Sequence, residues 1–120
     1  MRICIMNGRG ASGKTTFEKM VSSIAAEQGK KVEIVSTIDY VKGIARTIGW
    51  DGGKTNEDRR FLSDLKDALI RWKDIPYQMI ATTIKNLEKS NDVDLLFIDC
   101  REPKEIQRFV DDYNALKFIV

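Results

Sequence analysis

The chain has 120 residues, enough for one domain with its own core, and its 42% apolar and 32% charged content is ordinary for a globular protein. Its 20 basic and 18 acidic residues leave a net charge of +2, so the overall field gives no argument for nucleic acid or an anionic membrane as partner. The absence of histidine and the wide separation of its two cysteines exclude zinc-type ligation and histidine general-base chemistry, and Cys4 and Cys100 read as buried free thiols.

Arg2 to Met6 is a short apolar run of strand length, with the character of a strand buried on both faces of a parallel sheet. A single arginine and five apolar residues do not make a signal peptide, and no run approaches membrane-spanning length, so the expectation is a soluble cytoplasmic protein. Next comes Asn7 to Thr16, which contains Gly8-x-x-x-x-Gly13-Lys14-Thr15, the phosphate-binding P-loop pattern. Glycines let successive amide N–H groups point into one concavity and hold phosphate oxygens. Lys14 adds a point charge, Thr15 offers a hydroxyl to Mg2+, and the helix that follows turns its positive end to the same anions. The expected ATP-phosphate contacts are Gly8, Arg9, Gly10, Ala11, Ser12, Gly13, Lys14, Thr15 and Thr16.

Phe17, Met20, Val21, Ile24 and Ala25 recur at helical spacing, so a helix is predicted from Lys14 to about Gln28, stopped by Gly29. Lys31 to Ser36 reads as the second strand and Asp39 to Ile48 as a short helix ended by Gly49. Trp50 to Lys54 has loop chemistry, after which Thr55-x-x-Asp58 fits a capping arrangement. Phe61, Leu62, Leu65, Ala68, Leu69 and Trp72 form the apolar stripe of that helix. Ile75-Pro76 opens another helix, running to about Ser90 with Tyr77, Ile80, Ile84 and Leu87 on its apolar face. Trp50, Trp72 and Tyr77 are expected in the core rather than as base-stacking platforms. Asp94 to Asp99 is the third strand, Pro103 to Tyr113 a helix and Leu116 to Val120 a fourth strand. A strand with apolar residues at the last position suggests an incomplete domain.

A phosphoryl-transfer site with a P-loop needs an acid at the carboxyl end of a neighbouring strand, and Asp99 has that position; the competing role is a cap for the helix near Pro103. Arg101 follows by two, on the same side if the segment stays extended, or pairs with Glu102 or Glu105. Arg59 and Arg60 stand in a first helical turn, where a cation opposes the helix dipole; they suit a bound phosphate, or else pair with Asp58 or Asp64. Asp39 and Lys42, one turn apart, meet a substrate's sugar or phosphate, unless Asp39 serves only as a helix cap.

With these residues the chain resembles the P-loop nucleoside monophosphate kinases of the phage and bacterial deoxynucleotide monophosphate kinase type, to which phosphomevalonate kinases are related. Gly8 to Thr15 matches the generic loop, and Ser36 to Lys42 is similar to the family's stretch after its second strand. Gly49-Trp50-Asp51-Gly52 with Arg59 to Leu65, and Asp99-Cys100-Arg101 with the Glu105 that follows, resemble its more telling elements; Ser63 stands where the family has glutamine. The resemblance implies an α/β, three-layer P-loop NTPase fold with a parallel sheet flanked by helices, truncated after the fourth strand. It implies one domain over 1–120 with a helical acceptor-binding insertion over 37–90, and a C-terminal lid and adenine-side loop that are absent. The implied activity moves the γ-phosphoryl group of Mg-ATP to a nucleoside or deoxynucleoside monophosphate. Lys14 and Arg101 would be catalytic, Thr15 and Asp99 would hold Mg2+, and Asp39, Lys42, Arg59, Arg60 and Arg101 would bind the acceptor. The partners implied are nucleotides, with no nucleic acid and no membrane. Two other readings stay open: a regulatory ATPase of the partition and nitrogenase-iron-protein type, whose extra loop lysine would be Arg9 here, and a non-catalytic nucleotide-binding module.

Overall fold

The apolar run at the start of the chain forms an inner strand of a parallel sheet. The computed structural model describes residues 1–7 and 13–119, and the glycine loop from Gly8 to Ser12 lies outside them. In chain order the elements are β1 (Arg2–Asn7), α1 (Lys14–Glu27), β2 (Val32–Ser36), α2 (Thr37–Thr47), α3 (Asn56–Lys73), α4 (Ile75–Ser90), β3 (Leu95–Asp99), α5 (Pro103–Tyr113) and β4 (Leu116–Ile119). The sheet order is β2-β3-β1-β4, and β1 pairs in parallel with both β3 and β4. The chain divides into two compact units, residues 1–35 with 84–120, and residues 36–83.

In the first unit, Ile3 to Met6 are buried without a break, as are Leu96 to Ile98 opposite them. Alternation sends Cys4, Met6 and Phe97 to one face, where Phe17 and Val21 of α1 pack on them together with Val32 and Leu95. Ile3, Ile5, Leu96 and Ile98 turn to the other face; α5 lies against β1 and β4 with Ile106 and Phe109 buried. Burying each such side chain contributes roughly 1.5–3 kcal/mol, so a polar substitution at Ile5 or Ile98 would cost the sheet most. The α1 stripe is narrower than its spacing predicts. Met20 and Ile24 are about half exposed, because only the Phe17 and Val21 side of the helix meets the sheet. Gly29 ends the helix as expected, with φ +71° and its N–H donating to Ala26 O.

The second unit is helical. Ser36 caps α2, its Oγ accepting from Ile38 N–H while Asp39 Oδ2 accepts from Ser36 N–H, so the helix starts at Thr37, two residues earlier than its apolar pattern indicates. Val41, Ala45, Tyr77 and Ile80 are buried here, and the Tyr40 hydroxyl bonds to Thr83 Oγ1. α2 packs on α3, whose stripe through Phe61, Leu62, Leu65 and Leu69 is half-buried. Tyr77 is in the core as expected. Trp72 is not: it is 67% exposed, in the last turn of α3, with Lys73 Nζ 4.7 Å from its ring centre. Among the described residues no helix is long and apolar enough to cross a membrane.

Candidate functional site

The register of the sheet brings the first strand and Asp99 together. Met6 of β1 stands opposite Asp99 of β3, so both strands end at one edge, and the chain enters α1 from that edge. Lys14, the first residue of α1, lies with Nζ 3.5 Å from Asp99 Oδ2. Their side chains are 15% and 16% exposed, so the pair is screened far less than a surface ion pair. Asp99 therefore does not cap α5, whose N-cap position is Glu102 without a side-chain bond.

A further acid stands beside this pair. Glu18 lies one turn beyond Lys14 on the same side of α1 and is only 3% exposed. Its Oε2 and Asp99 Oδ1 are buried oxygens to which no other group among the described residues donates. Burial first, then the contact with the Asp99 carboxyl and its negative charge, push Glu18 up to about 8, with Lys14 pulling the other way. Burial, and secondarily the charge of Glu18, raise the neighbouring Cys4 thiol, which is consistent with an inert cysteine. Sequence reasoning missed Glu18. The available signal was an acid four residues after the loop lysine, set between Phe17 and Val21 on the face that meets the sheet.

The start of α1 is open. Gly13 precedes it at φ +88°, a conformation that suits glycine; among the described residues no side chain caps the helix, and its first turn holds no acid. Thr15 and Thr16 are exposed there. The expected contacts of Gly8, Arg9, Gly10, Ala11 and Ser12 lie outside the described residues.

Of the remaining candidates, Arg101 is exposed beyond the end of β3, so strand alternation no longer fixes its side, and it has no ion pair among the described residues. Glu105, considered as its partner, instead accepts from Cys100 Sγ at 3.3 Å. The other four candidates belong to the helical unit. Asp39 is engaged in the cap of α2, and Lys42 is half-buried on the same helix. Arg59 ends the first turn of α3 and Arg60 follows it; both are exposed and have no ion pair among the described residues. Asp58 does not pair with them. It takes Trp50 Nε1–H at 3.1 Å on one oxygen and the Thr55 hydroxyl at 2.7 Å on the other. The Thr55 hydroxyl, then the Thr55 amide and more weakly Trp50, hold Asp58 below the usual carboxylate value. Gly49-Trp50-Asp51-Gly52 thus has a structural task, with Arg46 5.2 Å over the Trp50 ring centre. A Cβ on Gly53 would collide with Asp58 Oδ2.

Among the described residues no group of three or more histidine, cysteine, aspartate or glutamate side chains is arranged to hold a metal. A cavity of about 430 Å³ opens at the amino-terminal ends of the strands, lined by Arg2, Glu88, Asn91, Tyr113 and Asn114 among others; none of the candidate residues borders it. No protein-family model matches the chain, and no curated protein or solved structure matches it either.

Proposed function

We propose that the chain binds Mg-ATP at the start of α1 and transfers the γ-phosphoryl group to a nucleoside or deoxynucleoside monophosphate, as do the P-loop nucleoside monophosphate kinases that its sequence resembles. The observation that carries the reading is the Lys14–Asp99 pair, 3.5 Å apart at the edge from which an uncapped helix begins behind a glycine loop. An ammonium, a strand-end carboxylate and free helix N–H groups are the parts that phosphate recognition with a magnesium ion requires.

The residues fit a divalent cation, because Asp99 Oδ1 is a buried oxygen without a donor among the described residues. Thr15 and Asp99 would hold it. A bound magnesium ion would supply charge neutralisation to the phosphates. Lys14 leaves Asp99 for the phosphates of ATP and stabilises the charge that develops on the γ-phosphoryl group. An anionic oxygen of the acceptor phosphate attacks the γ-phosphorus, the bond to the bridging oxygen breaks, and ADP departs with that electron pair. The attacking oxygen carries no proton, so no histidine base is required. On the resemblance, Arg59, Arg60 and Arg101, exposed and without an ion pair among the described residues, would bind the acceptor phosphate as guanidinium groups do, and Asp39 and Lys42 would also bind the acceptor.

The test is to mix the protein with Mg-ATP and a panel of ribo- and deoxyribonucleoside monophosphates, and to follow ADP and nucleoside diphosphate together. Stoichiometric diphosphate from one acceptor supports the reading. ADP release that ignores every acceptor overturns it in favour of a regulatory ATPase. ATP binding that depends on Lys14 but never leads to turnover overturns it in favour of a non-catalytic binding module.

A further inference from the structure

We infer that Glu18 is a member of the cation site, forming with Asp99 a two-carboxylate socket that takes a divalent cation when Lys14 is drawn away to the phosphates. The inference rests on the phosphoryl-transfer reading in one respect, that Lys14 and Asp99 work on Mg-ATP.

Charge and burial carry the argument. Two carboxyl groups, Glu18 and Asp99, lie in the field of Lys14, whose Nζ is 3.5 Å from Asp99 Oδ2. Glu18 Oε2 and Asp99 Oδ1 are shielded from water and, the carboxyl proton of Glu18 aside, have no donor among the described residues. A residue as buried as Glu18 is unlike a solvated surface acid; an acid in such a place is normally paired or bound to a metal. Phosphates at the start of α1 would pull Lys14 toward them, and Asp99 would then lose its ion-pair partner and Glu18 a nearby positive charge. A divalent ion restores the balance.

The donor set suits magnesium. This ion commonly takes one or two carboxylates and fills its remaining positions with water and substrate phosphate oxygens. The site offers two carboxylates and, among the described residues, no third acid or thiol arranged to complete a protein cage of the kind calcium or zinc prefers. Thr15, next to Lys14, adds a hydroxyl on the reading above.

Manganese is the probe, because its paramagnetism reports free and bound ion directly, without turnover. Binding of Mn2+ is titrated by electron spin resonance to the full chain, alone and with ATP, in wild type and in Asp99→Asn, Glu18→Gln, Glu18→Asp and Lys14→Met, each checked for folding by circular dichroism. With ATP, Asp99→Asn and Glu18→Gln should each weaken Mn2+ about tenfold or more, while Glu18→Asp, which keeps the charge, should recover part of the loss. Without ATP, Lys14→Met should bind Mn2+ at least about fivefold tighter than wild type, since a competing cation has gone. If Asp99→Asn leaves Mn2+ binding unchanged, the cation role of Asp99 fails and the phosphoryl-transfer reading loses its metal. If Asp99→Asn weakens it and Glu18→Gln does not, the inference about Glu18 alone is overturned. If Lys14→Met leaves binding to the free protein unchanged, the exchange of Lys14 for the cation is overturned.

Discussion

Two helices of this chain begin in opposite ways. α3 starts behind Thr55, whose hydroxyl accepts from Asp58 N–H while Asp58 Oδ2 accepts from Thr55 N–H, and Trp50 braces the same carboxylate from the preceding loop. α1 starts behind Gly13, with no side-chain cap and no acid in its first turn. Both helices have the same orphan N–H groups at their first turn, and an α3-type cap is the ordinary way to satisfy them. The difference separates a helix start closed by its own side chains from one that has no side-chain cap among the described residues. The acids near α1 reinforce the contrast, because Glu18 and Asp99 stand beside the lysine of the opening rather than on its N–H groups.

The comparison breaks most readily at Lys14. Lys14→Met should lower ATP affinity by about 100-fold, the loss of a charge-assisted contact, measured by isothermal titration calorimetry; affinity within threefold of wild type would show that the open helix start is not a phosphate site. The same substitution at Lys73, exposed in the last turn of α3, should leave ATP affinity unchanged.

Glu18 gives the next largest effect, and it depends on pH. Its ordinary value near 4.5 applies to the unfolded chain and about 8 to the folded one. Between these the folded protein retains a proton that the unfolded chain has lost, so this contribution to stability is complete below 4.5, declines as pH rises toward 8 and is gone above it. Glu18→Gln stays neutral throughout. Urea unfolding should find the variant level with wild type near pH 4.5 and more stable at pH 8.5, by on the order of 1–3 kcal/mol. Equal stability at both pH values would contradict the burial argument.

Two smaller effects sharpen the contrast between the helix starts. Gly13→Ala should cost about 1–2 kcal/mol of stability through its backbone angle alone, since a Cβ there meets nothing within 4 Å. Thr55→Ala should cost about 1 kcal/mol by uncapping α3, with no effect on ATP binding. Acid probes the same cap in wild type. The lowered Asp58 contributes stability above its ordinary value of 3.8 and loses it as pH falls through the folded value, so amide exchange in the first turn of α3 should quicken there while α1 shows no matching change.

Much of the fold could be read from the chain because its periodicities are local. Ile3 to Met6 and Leu96 to Ile98 are apolar on consecutive positions, as a strand covered on both faces must be, and Thr55 and Gly29 carry their capping chemistry within a few residues of the turns they make, whereas the apolar pattern starts α2 at Asp39 and does not reveal the cap at Ser36. Exposure was less legible. Met20, Ile24 and Trp72 sit at core spacing yet reach solvent, because periodicity defines a helix face and not how much of that face meets a neighbour.

The sequence by itself determined the strand β1, the helix that begins at Lys14 and the acid at the end of β3, because each is a short-range pattern whose backbone requirements select the residues. Only the tertiary structure decided that β3 is the direct neighbour of β1, which sets Asp99 against Lys14, and that α1 turns Glu18 inward to meet them. Strand order and helix rotation are set by long-range packing, so residues 81 and 85 positions apart in the chain come into one charge cluster that no local pattern encodes.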